Sequence, residues 1–230
     1  MRILIVSATI PEIQPVLSEL KITNNRNSKL KFYKYKDLCV DVLISGVGIP
    51  STTYYVVKNT QHIRYNLVIN SGIAGSFNPK INVGDVVNVM VEQFGDIGVE
   101  NNEEFLTSFE LKLEDPNVPP WINGRLLNDT TFYVPAIDAL KKVKGMTVNK
   151  AHGCNESIKR IKSKLNPDVE SMEGAAVFYT CLMEKLSFYE IRAISNMVEP
   201  RNVKNWEVPL AISNLNITLF RILEDLNSML

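Results

Sequence analysis

Short runs rich in Val, Ile and Leu alternate along most of this chain with stretches whose apolar residues recur at helical spacing. That alternation constrains the fold more than any other feature, because strands and helices in turn pack best as a sheet covered by helices. "RILIVSA" opens the chain as a buried strand. Pro11 then marks a helix start, with Ile13, Val16, Leu17 and Leu20 spaced along one amphipathic face. "KLKFYKYK" and "LCVDVLISG" read as a hairpin, and "GVGIPSTTYYVVKNT" as a loop feeding a helix. "YNLVIN" is a strand, "NSGIAGSF" a small-residue turn after it, and "VGDVVNVMVEQF" is again β-rich.

The second half resumes the pattern: helix "VPAIDALKKV", strand "KGMTVNKA", helix "NESIKRIKSKL", a short segment "DVES", helix "MEGAAVFYTCLMEKL", strand "FYEIRAISN" and a closing helix around "VPLAISNLNITLFRILEDLNSML". Residues from about 97 to 132 hold acidic, Asn and Pro positions with little periodicity. Phe105, Leu106, Trp121 and Leu126 nevertheless make this an excursion rather than a linker. The expectation is a single α/β domain over 1–230, with helices on both faces of a mostly parallel or mixed sheet.

Composition removes several functions. Lys and Arg number 25 and so do Asp and Glu, so a nucleic acid or acidic membrane partner has no electrostatic footprint to bind. Cys39, Cys154 and Cys181 are far apart and, with His62 and His152, make no metal-ligand spacing, so no metal and a reducing cytoplasm are expected. "RILIVSATI" is short for a signal peptide and leads into "PEIQ" rather than a cleavage site. No apolar run reaches the roughly 18 residues of a membrane span.

Ligands of such sheets bind beyond the carboxyl ends of strands. Glu12 falls in the first turn after the first strand, where it either complements the helix dipole or serves chemistry. Ile73, Ala74 and Gly75 lie in the small-residue "NSGIAGSF" segment, whose backbone N–H groups can approach a ligand. This segment is neither G-x-G-x-x-G nor a P-loop, which disfavours dinucleotides and nucleoside triphosphates. "VESMEGAA" and "IRAISN" would bring Glu170, Met172, Glu173, Arg192, Ser195 and Asn196 to one sheet edge. A buried Glu173 needs a partner, and Arg192 fits that need either as a structural ion pair or as part of a site.

The fragments "ISGVGIPSTT", "VINSGIAGSF", "VGDVV", "VESMEGAA" and "RAISN", following an early Glu12, occur in an order and at a spacing that resemble the nucleoside phosphorylase and nucleosidase superfamily. Within it the chain resembles the purine nucleosidases. The run "ESMEGAA", "RAISN" and then "VEPRN" with Asn205 and Trp206 is most similar to the futalosine hydrolase branch of menaquinone synthesis. The resemblance implies a three-layer α/β/α fold with a central mixed sheet, a small-molecule nucleoside substrate, no cofactor, a cytoplasmic location and a homodimer or larger homo-oligomer.

It also implies roles. Glu12 would be the general base that activates water, with Arg192 orienting that water. Glu173 would hold the ribose 2′- and 3′-hydroxyls, with Met172 against the sugar. Ile73, Ala74, Gly75 and Ser195 would line the nucleoside. Asn196 stands where adenine-cleaving relatives carry aspartate. An amide presents NH₂ to a 6-oxo group and its carbonyl to a protonated N7, the order of hypoxanthine rather than adenine. Arg201 is the candidate for the carboxylate of futalosine's 5′-extension, and Trp206 and Phe94 are candidates for its aromatic part. His152, in "HGCNES", is not taken as the base. The rival readings are a methylthioadenosine, S-adenosylhomocysteine or aminofutalosine nucleosidase, a phosphorylase, and a non-catalytic nucleoside-binding domain.

Overall fold

The computed structural model describes residues 1–25, 28–102 and 104–230. Its centre is β1 (Arg2–Ser7), flanked in parallel by β4 (Leu38–Ile44) and β5 (Leu67–Ser76), so that Ile5 lies between Val42 and Ile69. β12 (Phe188–Met197) runs parallel to β5 on its other side, and β6 (Val86–Glu92) lies antiparallel to β12. β10 (Lys141–Thr147) and β11 (Val169–Ser171) continue outward from β6 in parallel. At the opposite edge β3 (Leu30–Tyr35) and β2 (Lys21–Asn25) add antiparallel strands, giving the mixed sheet that was expected. β5 is ten residues long and outruns β1, and its Gly75 and Ser76 pair with β11. Five strands thereby close on themselves at the end where β5 and β12 finish.

Both faces are covered, which is why the central strands read as unbroken apolar runs. Ile3, Ile5, Ile69 and Ile191 face one cluster with α1 (Ile10–Glu19) and α6 (Val208–Ser228), where Val16, Leu215 and Leu219 are buried. The alternate residues Leu4, Val6 and Val68 face the other, with Val56 of α2 (Ile49–Thr60) and Val177 and Phe178 of α5 (Gly174–Met183). Side chains two apart share a face of a strand, so this alternation produces the three layers. Two further helices are α3 (Pro135–Asp138) and α4 (Asn155–Leu165). No helix among the described residues is long and apolar enough to cross a membrane.

Two expectations need correction, and one strand forms where none was read. "SGIAGS" is not a turn but the second half of β5. A Cβ on Gly72 would stand 2.8 Å from the Arg192 Nη1 and 2.9 Å from the Glu12 Oε1, and one on Gly75 would stand 2.9 Å from Val198 Cγ2. These glycines mark close side-chain approach inside a strand rather than a bend. The helix read over "VPAIDALKKV" stops at Asp138, because Val143 is buried opposite Val89 and the strand pairing claims Lys141 onward. "KITNN" is strand β2, although its polar composition carries no strand signal. The excursion holds a hairpin of β7 (Gly98–Asn101) and β8 (Glu104–Thr107), then β9 (Leu126–Leu127) on β6. Trp121 anchors it, packed against Phe94, Phe109 and Tyr179.

Candidate active site

A cavity of about 330 Å³ opens beyond the carboxyl ends of β1, β5, β11 and β12. Glu12, Met172, Glu173 and Asn196 all line it, with Ile73, Ala74, Gly75, Ser195 and Arg201. Arg192 does not. These residues come from opposite ends of the chain because α1, β5, β11 and β12 all finish or begin at this one edge.

Glu12 is 9 % exposed and firmly oriented. Its Oε2 accepts from the Thr9 backbone N–H at 2.9 Å, the Thr9 hydroxyl at 2.8 Å and the Ser7 hydroxyl at 3.3 Å. Among the described residues its Oε1 accepts only the Ile73 N–H, at 3.2 Å, so this is the oxygen with lone-pair capacity to spare. The carboxylate therefore serves both readings of the sequence: it sits in the first turn of α1 near its positive end, and it faces a cleft.

Glu173 immediately precedes α5, and its Oε1 accepts the Gly48 N–H at 3.0 Å. Burial pushes its carboxyl up, the positive charge of Arg192 and the Gly48 bond oppose that, and Glu12 adds to it. Arg192 is not its ion-pair partner. The Arg192 Nε lies 2.8 Å from Glu190 Oε1, and Nη2 donates to Asn70 Oδ1. Arg192 is thus a fully buried cation under the cavity floor, reaching Glu12 from below across Gly72. Arg192 does not line the cleft, so it is not at the place the resemblance gave it for orienting a water.

Beneath the floor a second acidic group surrounds this cation. Oxygens of Glu190 and Glu92 both crowd Gly174, where a Cβ would approach them within 2.6 Å. Burial raises the Glu190 carboxyl to about 7 against the pull of Arg192, and burial with repulsion from Glu190 drives Glu92 well above the usual range. Two carboxylates around one arginine hold a proton between them more readily than two charges.

The amide of Asn196 is set by its neighbours. Its Oδ1 accepts from the Ser195 hydroxyl at 2.8 Å and its Nδ2 donates to Met197 O at 2.9 Å. One N–H and one lone pair are left for a ligand. Arg201 lines the cavity with its guanidinium 5.0 Å from the centre of the Trp206 ring, and its backbone N–H donates to Gly153 O at 3.0 Å. Trp206 also lines the cavity, whereas Phe94 belongs to the core beside Trp121, which corrects its placement as a pocket residue.

Sequence reasoning undervalued one pair. His152 lines the cavity, its backbone N–H donating to Glu170 Oε1 at 3.0 Å and its Nδ1 in contact with Glu170 Oε2. A glutamate set between Val169 and Ser171 on a short strand was the available signal. Among the described residues no group of three or more His, Cys, Asp or Glu is arranged to hold a metal ion.

This fold is that of one superfamily. The Phosphorylase superfamily model matches residues 2–226, and the chain belongs to that family. It is 24 % identical to a 5′-methylthioadenosine/S-adenosylhomocysteine nucleosidase of Buchnera aphidicola, over 90 % of this chain and 87 % of that protein. It is 26 % identical to a futalosine hydrolase of Acidothermus cellulolyticus, over 76 % and 71 %. Its fold overlays the methylthioadenosine/S-adenosylhomocysteine nucleosidase of Streptococcus pneumoniae, crystallised with 8-aminoadenine, with a TM-score of 0.81 over 98 % of this chain and 100 % of that one at 20 % identity.

Proposed function

We propose that this chain hydrolyses the N-glycosidic bond of futalosine, releasing hypoxanthine. The coarser part, an enzyme that cleaves nucleoside N-glycosidic bonds with water, is supported by its family and by relatives named nucleosidase and futalosine hydrolase. The finer part rests on Asn196, an amide with no proton to release, sharing a cavity with Glu12 and Glu173.

Cleavage breaks the C1′–N9 bond and sends its electron pair to the purine while positive charge builds on the ribose. Glu12, through its less committed Oε1, takes a proton from a water, whose oxygen bonds to C1′. Glu173 holds the sugar hydroxyls and places negative charge near the developing cation, its Oε1 fixed by Gly48. Met172 supplies an apolar contact for the ribose. The free N–H of Asn196 meets the purine O6, and its free lone pair meets the hydrogen on N7 that the departing base takes up from solvent water. Arg201, braced on Trp206, suits a carboxylate on the 5′-extension.

A phosphorylase would need cations about the sugar. Among the described residues the only arginine lining the cavity is Arg201, while Glu12 would repel phosphate. The same reading takes the protein as cytoplasmic and as a homo-oligomer. Val47, an apolar cavity residue that is 56 % exposed, supports a second copy covering that rim, and sedimentation tests it. Incubation without phosphate with futalosine, inosine and methylthioadenosine decides the substrate. Hypoxanthine released from futalosine is expected, and adenine from methylthioadenosine alone would overturn the reading in favour of the adenine nucleosidases that dominate its relatives.

A further inference from the structure

The roles given above leave His152 and Glu170 unused, although both line the cleft. Glu170 is 6 % exposed and spends one oxygen on the His152 backbone N–H and the other on ring Nδ1. The edge of Phe77 packs against the imidazole, with ring centres 6.4 Å apart. A carboxylate only accepts, so Nδ1 carries the hydrogen, and the tautomer this contact selects presents a lone pair at Nε2. Among the described residues Nε2 has no hydrogen-bond partner of its own.

The sheet register sets where this lone pair stands. Gly75 is the strand partner of Glu170 on one side and of Asn196 on the other. Two strand spacings separate the pair, about 10 Å. A purine lying over Gly75 would meet Asn196 at its O6/N7 edge and the His152–Glu170 pair at the adjoining edge that carries N1. Hypoxanthine presents a hydrogen at N1 beside its O6. Adenine presents a lone pair at N1 beside its amino group.

We infer that His152 is a second base-reading residue: its Nε2 accepts the N1–H of a 6-oxopurine, and Glu170 is the positioning residue that fixes the tautomer. The inference rests on the futalosine reading, and it makes discrimination a matter of two residues rather than Asn196 alone. An adenine would set its N1 lone pair against that of Nε2. Leaving such a buried acceptor unpaired weakens binding by roughly 10- to 100-fold.

The test is calorimetric titration of the full-length protein with hypoxanthine, 1-methylhypoxanthine and adenine. The wild type is expected to bind hypoxanthine at least 10-fold more tightly than either of the others. His152→Phe, which retains an aromatic ring, should lose that margin by weakening hypoxanthine while changing adenine less than about threefold. In Glu170→Gln the amide can donate to Nδ1, which releases the tautomer with a hydrogen on Nε2, so hypoxanthine should weaken and adenine strengthen. If His152→Phe weakens all three bases equally, or none, while the wild type still releases hypoxanthine from futalosine, this inference alone falls. A wild type that prefers adenine overturns the futalosine reading together with it. Should His152→Phe fail to fold, the wild type decides: indifference to the N1 methyl group overturns the inference.

Discussion

Glu173 accepts a hydrogen bond from the backbone N–H of Gly48 at 3.0 Å, joining positions 125 residues apart in sequence. Gly48 is the N-cap of α2 and has φ +90°, a conformation that side chains rarely adopt. A Cβ there would have only Asn149 Oδ1 near it, at 3.9 Å, so the difficulty of replacing it is conformational rather than steric. Gly48→Ala is expected to cost about 1–2 kcal/mol of stability and to turn the N–H away from Glu173. In steady-state assays KM for the nucleoside should rise about 10-fold.

Because burial pushes the Glu173 carboxyl up, its protonation begins at a higher pH than an ordinary carboxylate's. The grip on the ribose hydroxyls needs the ionised form. KM should therefore rise as the pH falls through a region above the usual carboxylate range. Glu173→Gln should show a high KM with that pH dependence removed, measured as a profile of kcat/KM.

Glu12→Gln keeps the size of the side chain and removes the basic oxygen. The expected result is a kcat lowered by about 10²- to 10⁴-fold. Free hypoxanthine should still bind within a few-fold of the wild type, because the proposed function sets Glu12 against water and sugar rather than base. Retained turnover in this variant would remove Glu12 from the chemistry.

Asn196→Asp restores a group able to carry a dissociable proton while Ser195 still donates to it. The variant should move base preference toward adenine, read as the ratio of kcat/KM for a 6-amino over a 6-oxo nucleoside rising 10-fold or more. An unchanged ratio would separate Asn196 from base recognition.

Glu190 carries a raised carboxyl, about 7, against an ordinary value near 4.5. The folded protein then binds more protons than the unfolded chain between these values, so stability falls as the pH rises through that window. From pH 8 down to about 5 the wild type should gain on the order of 2 kcal/mol. Denaturant titrations of Glu190→Gln should show a smaller gain, since a neutral amide cannot take up that proton.

Alternation of apolar runs and amphipathic segments determined, without tertiary information, the α/β class, both helical layers and most strand positions. Local periodicity records which residues face a core, and Ile3 to Val6 face two of them. Nine of the ten site residues read from the sequence line one cavity, because the segments about the carboxyl ends of strands are recognisable by their glycines, acids and amides. Only the tertiary structure decided that "SGIAGS" is strand, since the glycines answer to Arg192, Glu12 and Val198, which lie far from them in sequence. It also gave Arg192 to Glu190 and Asn70 rather than to Glu173, and joined His152 to Glu170 across a strand end. Which acid a buried cation meets depends on strand register, and register is a property of pairs of strands that no single stretch of sequence contains.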